Sequence, residues 1–126
     1  MPRIFSNGKK IYSVDMMFTY VNTNNCQITK IDINDLKHVL DFDGWGDEHV
    51  KFSPNDVIAN PLRYKKEMEL INNADLSYPI ITTYYKNRLI IVDGVHRLVK
   101  SLLLGKKQIK AYIFNDDLMK KFLIKN

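Results

Sequence analysis

Apolar residues along the chain follow two spacings, one helical and one extended, and the changes between them mark the elements. Behind Ser13, the residues Val14, Met17, Phe18 and Val21 recur at i, i+3, i+4 and i+7, which predicts a helix capped by Ser13. The stretch CQITKIDIND carries Ile28, Thr29, Ile31 and Ile33 in a pattern that suits a short strand. Asn34 or Asp35 then caps a brief helix through Leu36, Val39 and Leu40. Two helix starts of one type follow, Ser53-Pro54 and Asn60-Pro61, where proline loses nothing because its N–H would have no helical partner. Tyr64, Met68 and Ile71 form the apolar stripe of the second, with Arg63, Lys66 and Glu67 to one side. YPIITTYY and RLIIVD, joined at Lys86-Asn87, read as a hairpin. Val95, Leu98, Val99, Leu102 and Leu103 make the clearest amphipathic helix, ended by Gly105. QIKAYIF is a strand with Ile109, Ala111 and Ile113 on one face, and Asn115 or Asp116 caps a last helix that buries Leu118, Phe122 and Leu123. Helices interspersed with strands and one hairpin predict an α/β (α+β) fold, a small mixed sheet with helices packed on it.

Residues 41–52, DFDGWGDEHVKF, follow neither spacing. They hold two glycines, four acids and the one tryptophan, and read as a loop, either a solvated one in which Trp45 fills a gap or a lid that brings a base or metal ligand to a site. The 126 residues fit a single domain, and 45% apolar content fits a globular core. The longest apolar run, Leu89 to Val92, is far too short to cross a membrane, and the N-terminus shows no secretory pattern. Cys26 is the lone cysteine, so an internal disulfide and any CxxC pair are excluded, and a reducing, cytoplasmic compartment is expected. The net charge of +5 favours polyanionic or phosphorylated partners. Most of the lysines, many in pairs, are accounted for by solubility alone. Arginine is the scarcer cation, which draws attention to Arg63 and Arg97.

The segment DGVHR, residues 93–97, stands between the apolar run and the amphipathic helix. In a purely local account Asp93 is the N-cap, Gly94 eases the turn, and His96 and Arg97 face water. The same geometry also describes an anion site. The first amides of a helix lack partners and carry partial positive charge. Glycine lets a phosphate approach the backbone. Arg97 offers a fork of donors matched to phosphate oxygens, and His96 can donate or titrate near neutral pH. The core stripe claims Val95, Leu98 and Val99 and leaves His96 and Arg97 outside it. Asp93 is then consumed as a cap, faces a bound Mg²⁺, or takes part in proton transfer.

The stretch VDGVHRLVKSLLLGKKQIKAYIF resembles the signature of the ParB/sulfiredoxin-like superfamily, in which a G-x-H-R or G-x-x-R box opens a helix leading to a further strand. NPLRYKKEMELINNADLSYPI is similar too, with its N-P helix start, a basic residue two positions on, and a P-I pair opening a strand. The resemblance covers roughly residues 53–114; residues 1–27 stand as an N-terminal extension. It implies a nucleotide pocket for ATP, ADP or CTP, with Gly94, Val95, His96 and Arg97 at the phosphates and Arg63 matching the basic helix position. Lys66 joins these as a phosphate-binding candidate, at a place where the family often has a small hydroxyl residue. It also implies phosphoryl transfer or nucleotide hydrolysis using Asp93 and His96 and a Mg²⁺ ion at Asp93, close to the free-serine kinase branch. Val95 stands where a sulfiredoxin needs its cysteine, so sulfiredoxin activity is not expected. The chain ends at Asn126, too soon for the helix-turn-helix domain that follows this module in ParB partition proteins.

The competing expectation is a ParB-like nucleic-acid-binding or nuclease module, and a third is a degenerate domain kept for interactions. Of the 13 Tyr and Phe residues, those outside the core stripes and open to base stacking are Tyr12, Tyr84 and Tyr85. His38 and His49 are too far apart in sequence to suggest a metal site.

Overall fold

The computed structural model describes residues 2–46 and 49–126. Its centre is a four-stranded mixed sheet in the order β3-β6-β4-β5, formed by Thr29–Asp32, Gln108–Phe114, Ile80–Tyr85 and Arg88–Asp93. β6 runs antiparallel to β3 and parallel to β4, and β4 is antiparallel to β5. A second, three-stranded antiparallel sheet joins β1 (Ile4–Ser6), β2 (Ile11–Ser13) and β7 (Leu123–Lys125). The helices are α1 (Val14–Thr23), α2 (Pro54–Ala59), α3 (Lys65–Asn72), α4 (Val95–Leu103) and α5 (Asp116–Lys120). The fold is α+β, as the spacing predicts.

The central sheet is covered on both faces. Successive strand residues point to opposite faces, and the neighbours Ile80 and Ile81 enter different clusters. Ile80 packs with Ile31, Ile91, Ala111 and the helical residues Ile71, Leu98 and Val99. Ile81 packs with Tyr12, Met17, Phe114, Met119 and Phe122. Two-sided burial explains why Ile80–Thr83 does not alternate: all four are buried. The two threonine hydroxyls satisfy themselves by donating to carbonyls of β6, Thr82 to Tyr112 at 2.9 Å and Thr83 to Phe114 at 2.6 Å. It also explains β6. Ile109 and Ala111 face the first cluster and Tyr112 and Phe114 lie with the second, while Ile113, expected in the core, is exposed at the strand end.

Much of the layer on the second face comes from outside residues 53–114. α1 and β2 supply Met17 and Tyr12, and α5 with the residues after it supplies Met119 and Phe122. Leu118 and Leu123 are only half-buried there.

The hairpin turn falls at Lys86 and Asn87, with φ values of 52° and 62°, the left-handed pair that matches strand twist. Ser13, Ser53 and Asn115 cap their helices with their side chains, and Ser53 forms a reciprocal capping box with Asp56. Two expected caps are corrected. Asn60 ends α2 instead of starting a helix, its amide N–H donating to Asp56 and Val57 carbonyls. α3 therefore begins only at Lys65, and Arg63 lies in the turn before it. Ile33–Asp41 winds as a 3₁₀ helix starting after Asp32, so neither Asn34 nor Asp35 is a cap. Leu36 and Leu40 still reach the core from it. β3 is shorter than the apolar pattern, and Ile28 is exposed before it.

Candidate anion-binding site

β5 ends at Asp93, and the chain turns through Gly94 into α4. Gly94 is the N-cap, with φ 116° and ψ 24°. Two conditions demand glycine there. The φ lies where a Cβ is strained, and a Cβ would stand 2.5 Å from Cγ2 of Ile80. Asp93 is thus not the cap of the local account. No side chain caps α4, and the first helical amide bonded back to the turn is that of Leu98, on the Gly94 carbonyl. The amides of Val95, His96 and Arg97 stand at the positive end of the helix dipole without a side-chain cap.

Asp93 instead holds two arginines. Its Oδ1 accepts from Nη2 of Arg3 at 2.6 Å and its Oδ2 from Nη2 of Arg97 at 2.7 Å. The Asp93 side chain is 7% exposed, Arg97 18% and Arg3 60%, so Arg97 and Asp93 are interior partners and Arg3 closes over them from outside. Arg97 also donates from Nη1 to the carbonyls of Tyr78 and Pro79, at 3.1 and 2.9 Å. One helical turn on, the ammonium of Lys100 binds the carbonyls of Asn72 and Ala74 at 2.9 and 2.8 Å. Together these two α4 side chains tether the segment from the end of α3 to β4. Two guanidinium groups and one carboxylate leave a net charge of +1 beside the free amides.

These groups line a cavity of about 550 Å³. Arg3, Asp93, Gly94, His96 and Arg97 make its charged end; Phe18, Val21, Leu70, Tyr78, Ile81 and Tyr112 make the rest largely apolar. Asp75 stands on the rim. Hydrogen bonds from the Ser77 hydroxyl and amide, at 2.7 and 2.9 Å, lower its pKa below the ordinary carboxylate value, with smaller help from Lys100 and Arg97.

His96 is engaged on two sides. Its Nε2 lies 2.7 Å from Oε2 of Glu67 on α3, and because an ionised carboxylate only accepts, the hydrogen sits on Nε2. Its ring stacks on Trp45, with centroids 4.5 Å apart and planes 14° apart. Trp45 in turn packs edge-on against Phe52. The irregular loop therefore reaches the site through its tryptophan. Of its acids, Asp41 accepts a hydrogen bond from Asn55 at 2.6 Å, and Asp47 and Glu48 lie outside the described residues.

Arg63 and Lys66 are not brought to this cavity. They line a neighbouring hollow of about 700 Å³ with Trp45, Phe52 and Tyr64. Arg63 is exposed, its guanidinium 5.6 Å above the Tyr64 ring. Glu67 and Trp45, on the wall of that hollow, stand between it and His96. The physical reason is the corrected start of α3, which leaves Arg63 in an exposed turn before the helix. Arg3, and not Arg63, lies against Asp93 and lines the cavity. Its scarcity as an arginine was the one available signal, while Glu67 carried none.

The role of Mg²⁺ ligand does not suit Asp93 in this arrangement. Each oxygen already accepts a guanidinium N–H, and a dication would sit beside two positive charges. Among the described residues no group of three or more His, Cys, Asp or Glu is placed to hold a metal, and no helix is long and apolar enough to cross a membrane.

The chain matches no protein-family model and no curated protein sequence. Solved structures similar to it include the sulfiredoxin of Arabidopsis thaliana, with 17% identity and a TM-score of 0.39 over 75% of this chain and 94% of that one.

Proposed function

We propose that the chain binds a nucleotide such as ATP, ADP or CTP in the cavity at the start of α4. The phosphates would lie on the amides of Val95, His96 and Arg97, and the base on the apolar walls. The observation that carries this reading is the helix start without a side-chain cap, beside a cavity whose charged end holds two arginines. The division into a charged end and apolar walls suits a ligand with a phosphate tail and a flat ring. The resemblance of residues 53–114 to ParB/sulfiredoxin-like proteins implies the same ligand class.

In this reading Arg3 is the adaptable clamp. It is the more exposed partner of Asp93 and can turn donors toward a phosphate. Arg97 is the fixed one, already shared between Asp93 and two carbonyls. Hydrolysis or transfer of a terminal phosphoryl group is the reaction such a site would support, since that chemistry rests on positioning and charge stabilisation. His96 is held through Nε2 by Glu67, which orients its ring at the helix start.

The test is a thermal-shift panel of ATP, ADP and CTP, with and without Mg²⁺, on the wild type and on Arg3→Gln. A ligand that binds only the folded chain adds stability with the logarithm of its concentration over Kd, about 2.7 kcal/mol at a hundred times Kd, and so raises Tm. The expected result is a shift with at least one nucleotide that shrinks in Arg3→Gln. No shift with any nucleotide would sink the reading.

A further inference from the structure

The central sheet has an outer strand on each side, β3 and β5. β5 has company on its outer side. The 3₁₀ helix Ile33–Asp41 packs against it, and His38 Nε2 donates to the Leu89 carbonyl at 2.6 Å. β3 has no such cover, because the helix that follows it leaves for the other edge. The pairing of β3 with β6 fixes which of its backbone groups are open. The Ile33 amide donates to the Lys107 carbonyl at 2.9 Å, and Asp32 to Thr29 follow in register with Gln108 to Ala111. Bonded and unbonded pairs alternate in an antiparallel ladder. Thr29 and Ile31 therefore turn their backbone groups to β6, and Lys30 and Asp32 turn theirs outward. Among the described residues nothing meets the outward amides of Lys30 and Asp32.

The same register sets Lys30 directly opposite Lys110. Theirs is an unbonded pair, where Cα atoms approach to about 4.5 Å and side chains stand closest. Like charges placed so destabilise a sheet. Both lysines are exposed, and among the described residues neither has an ion-pair partner. Lys106 joins them around a pocket of about 190 Å³ that no acid lines. One lysine is enough to guard an edge against chance pairing, so the second leaves a repulsion to be offset. The next side chain on this face of β3 is Asp32, exposed and opposite Gln108, whose amide donates to it at 3.1 Å. The open edge thus presents a cation and an anion two positions apart, on the two residues whose backbone groups point outward.

We propose that the outer edge of β3 is a dimer interface that pairs with β3 of a second copy of this chain. The strands run antiparallel about a two-fold axis at Ile31. Lys30 of each copy then lies opposite Asp32 of the other, and their outward backbone groups exchange hydrogen bonds on both sides of the axis. The two central sheets join into one. Each Lys30 stands between Lys110 of its own chain and an acid of the other, so the repulsion in the monomer is offset in the dimer. The charges also select the register. A slip of two residues one way sets Lys30 against Lys30, and the other way Asp32 against Asp32. A slip of one residue sets outward backbone groups against inward ones. A two-fold contact of this kind closes on itself and builds no filament. The edge shares no residue with the cavity at α4.

The experiment is sedimentation velocity of the full chain at low salt, from about 10 µM to about 1 mM. A contact this narrow falls at the small end of specific interfaces, so a monomer–dimer Kd between about 1 µM and about 1 mM is expected. Lys30→Glu sets acid against acid on both sides of the axis and should weaken the dimer by about ten-fold or more. Asp32→Lys alone should do the same with two cations. The exchange Lys30→Glu with Asp32→Lys keeps the net charge and should restore association to within about three-fold of the wild type. Both positions are exposed. Lys30→Glu also removes the repulsion at Lys110, so its monomer should unfold at the same or higher urea concentration, which separates lost pairing from lost folding. The proposal is overturned by a chain that stays monomeric at about 1 mM, by a dimer that Lys30→Glu leaves intact, or by an exchange variant no better than the single ones.

Discussion

The cavity at the start of α4 and a cleft of about 460 Å³ between the tips of the β1–β2 and β4–β5 hairpins, lined by Lys9, Lys10, Lys86 and Lys120, hold positive charge in opposite ways. In the cavity Arg97 is tied to a buried carboxylate and to two carbonyls, so its donors are fixed before any ligand arrives, while Arg3 closes over the same carboxylate from outside. In the cleft the lysines stand in water without interior partners. A fixed fork favours one anion geometry, whereas mobile ammonium groups favour any polyanion and lose their hold as salt rises. The difference teaches that net charge alone says little about ligand class; the partners of each cation decide it.

Two glycines sharpen the contrast. Gly94 at the cavity and Gly8 at the hairpin tip both have positive φ, 116° and 96°. A Cβ at Gly94 would strike Ile80 as well as strain the backbone, but nothing lies within 4 Å of one at Gly8. Gly94→Ala should therefore cost about 4 kcal/mol, combining backbone strain with overpacking. Asp93→Ala comes next. It strands the mostly buried Arg97 guanidinium and frees Arg3, and should cost about 3 kcal/mol. Gly8→Ala carries the strain alone and should cost about 1 kcal/mol. Urea denaturation of the three variants measures the order. If Gly8→Ala proved as damaging as Gly94→Ala, the close packing against Ile80 would not be what sets the α4 start.

The smallest effect lies at the cavity rim. Asp75 has a folded pKa below its ordinary 3.8, so its hydrogen bonds with Ser77 add stability that is fully present above that value. That stability is lost as pH falls through the lower folded pKa. Ser77→Ala removes the hydroxyl donor and should move the Asp75 titration, followed by NMR, back up toward 3.8. An unchanged titration would show that the backbone amide of residue 77 alone holds the carboxylate.

Local elements were legible because they rest on near neighbours. The α4 stripe, the Ser53 capping box and the Lys86-Asn87 turn each depend on residues within a few positions, and each is observed. Asn60 misled because N-P signals a helix start locally, whereas the preceding helix claims that asparagine as its end. The site itself was half legible. Gly94, Val95, His96 and Arg97 line up on one helix start, which the spacing alone supplies.

What the sequence by itself determined is therefore the α+β order, the glycine turn and the helix that opens with DGVHR, since all follow from hydrophobic period and backbone preference. What only the tertiary structure decided is the company those residues keep. Arg3 reaches Asp93 across 90 positions, Glu67 reaches His96 across 29, and Trp45 stacks on the same histidine. Arg63 and Lys66 are sent to a separate hollow. Ion pairs and ring contacts at such separations follow from how the layers pack on the two sheet faces, and no local spacing encodes that packing.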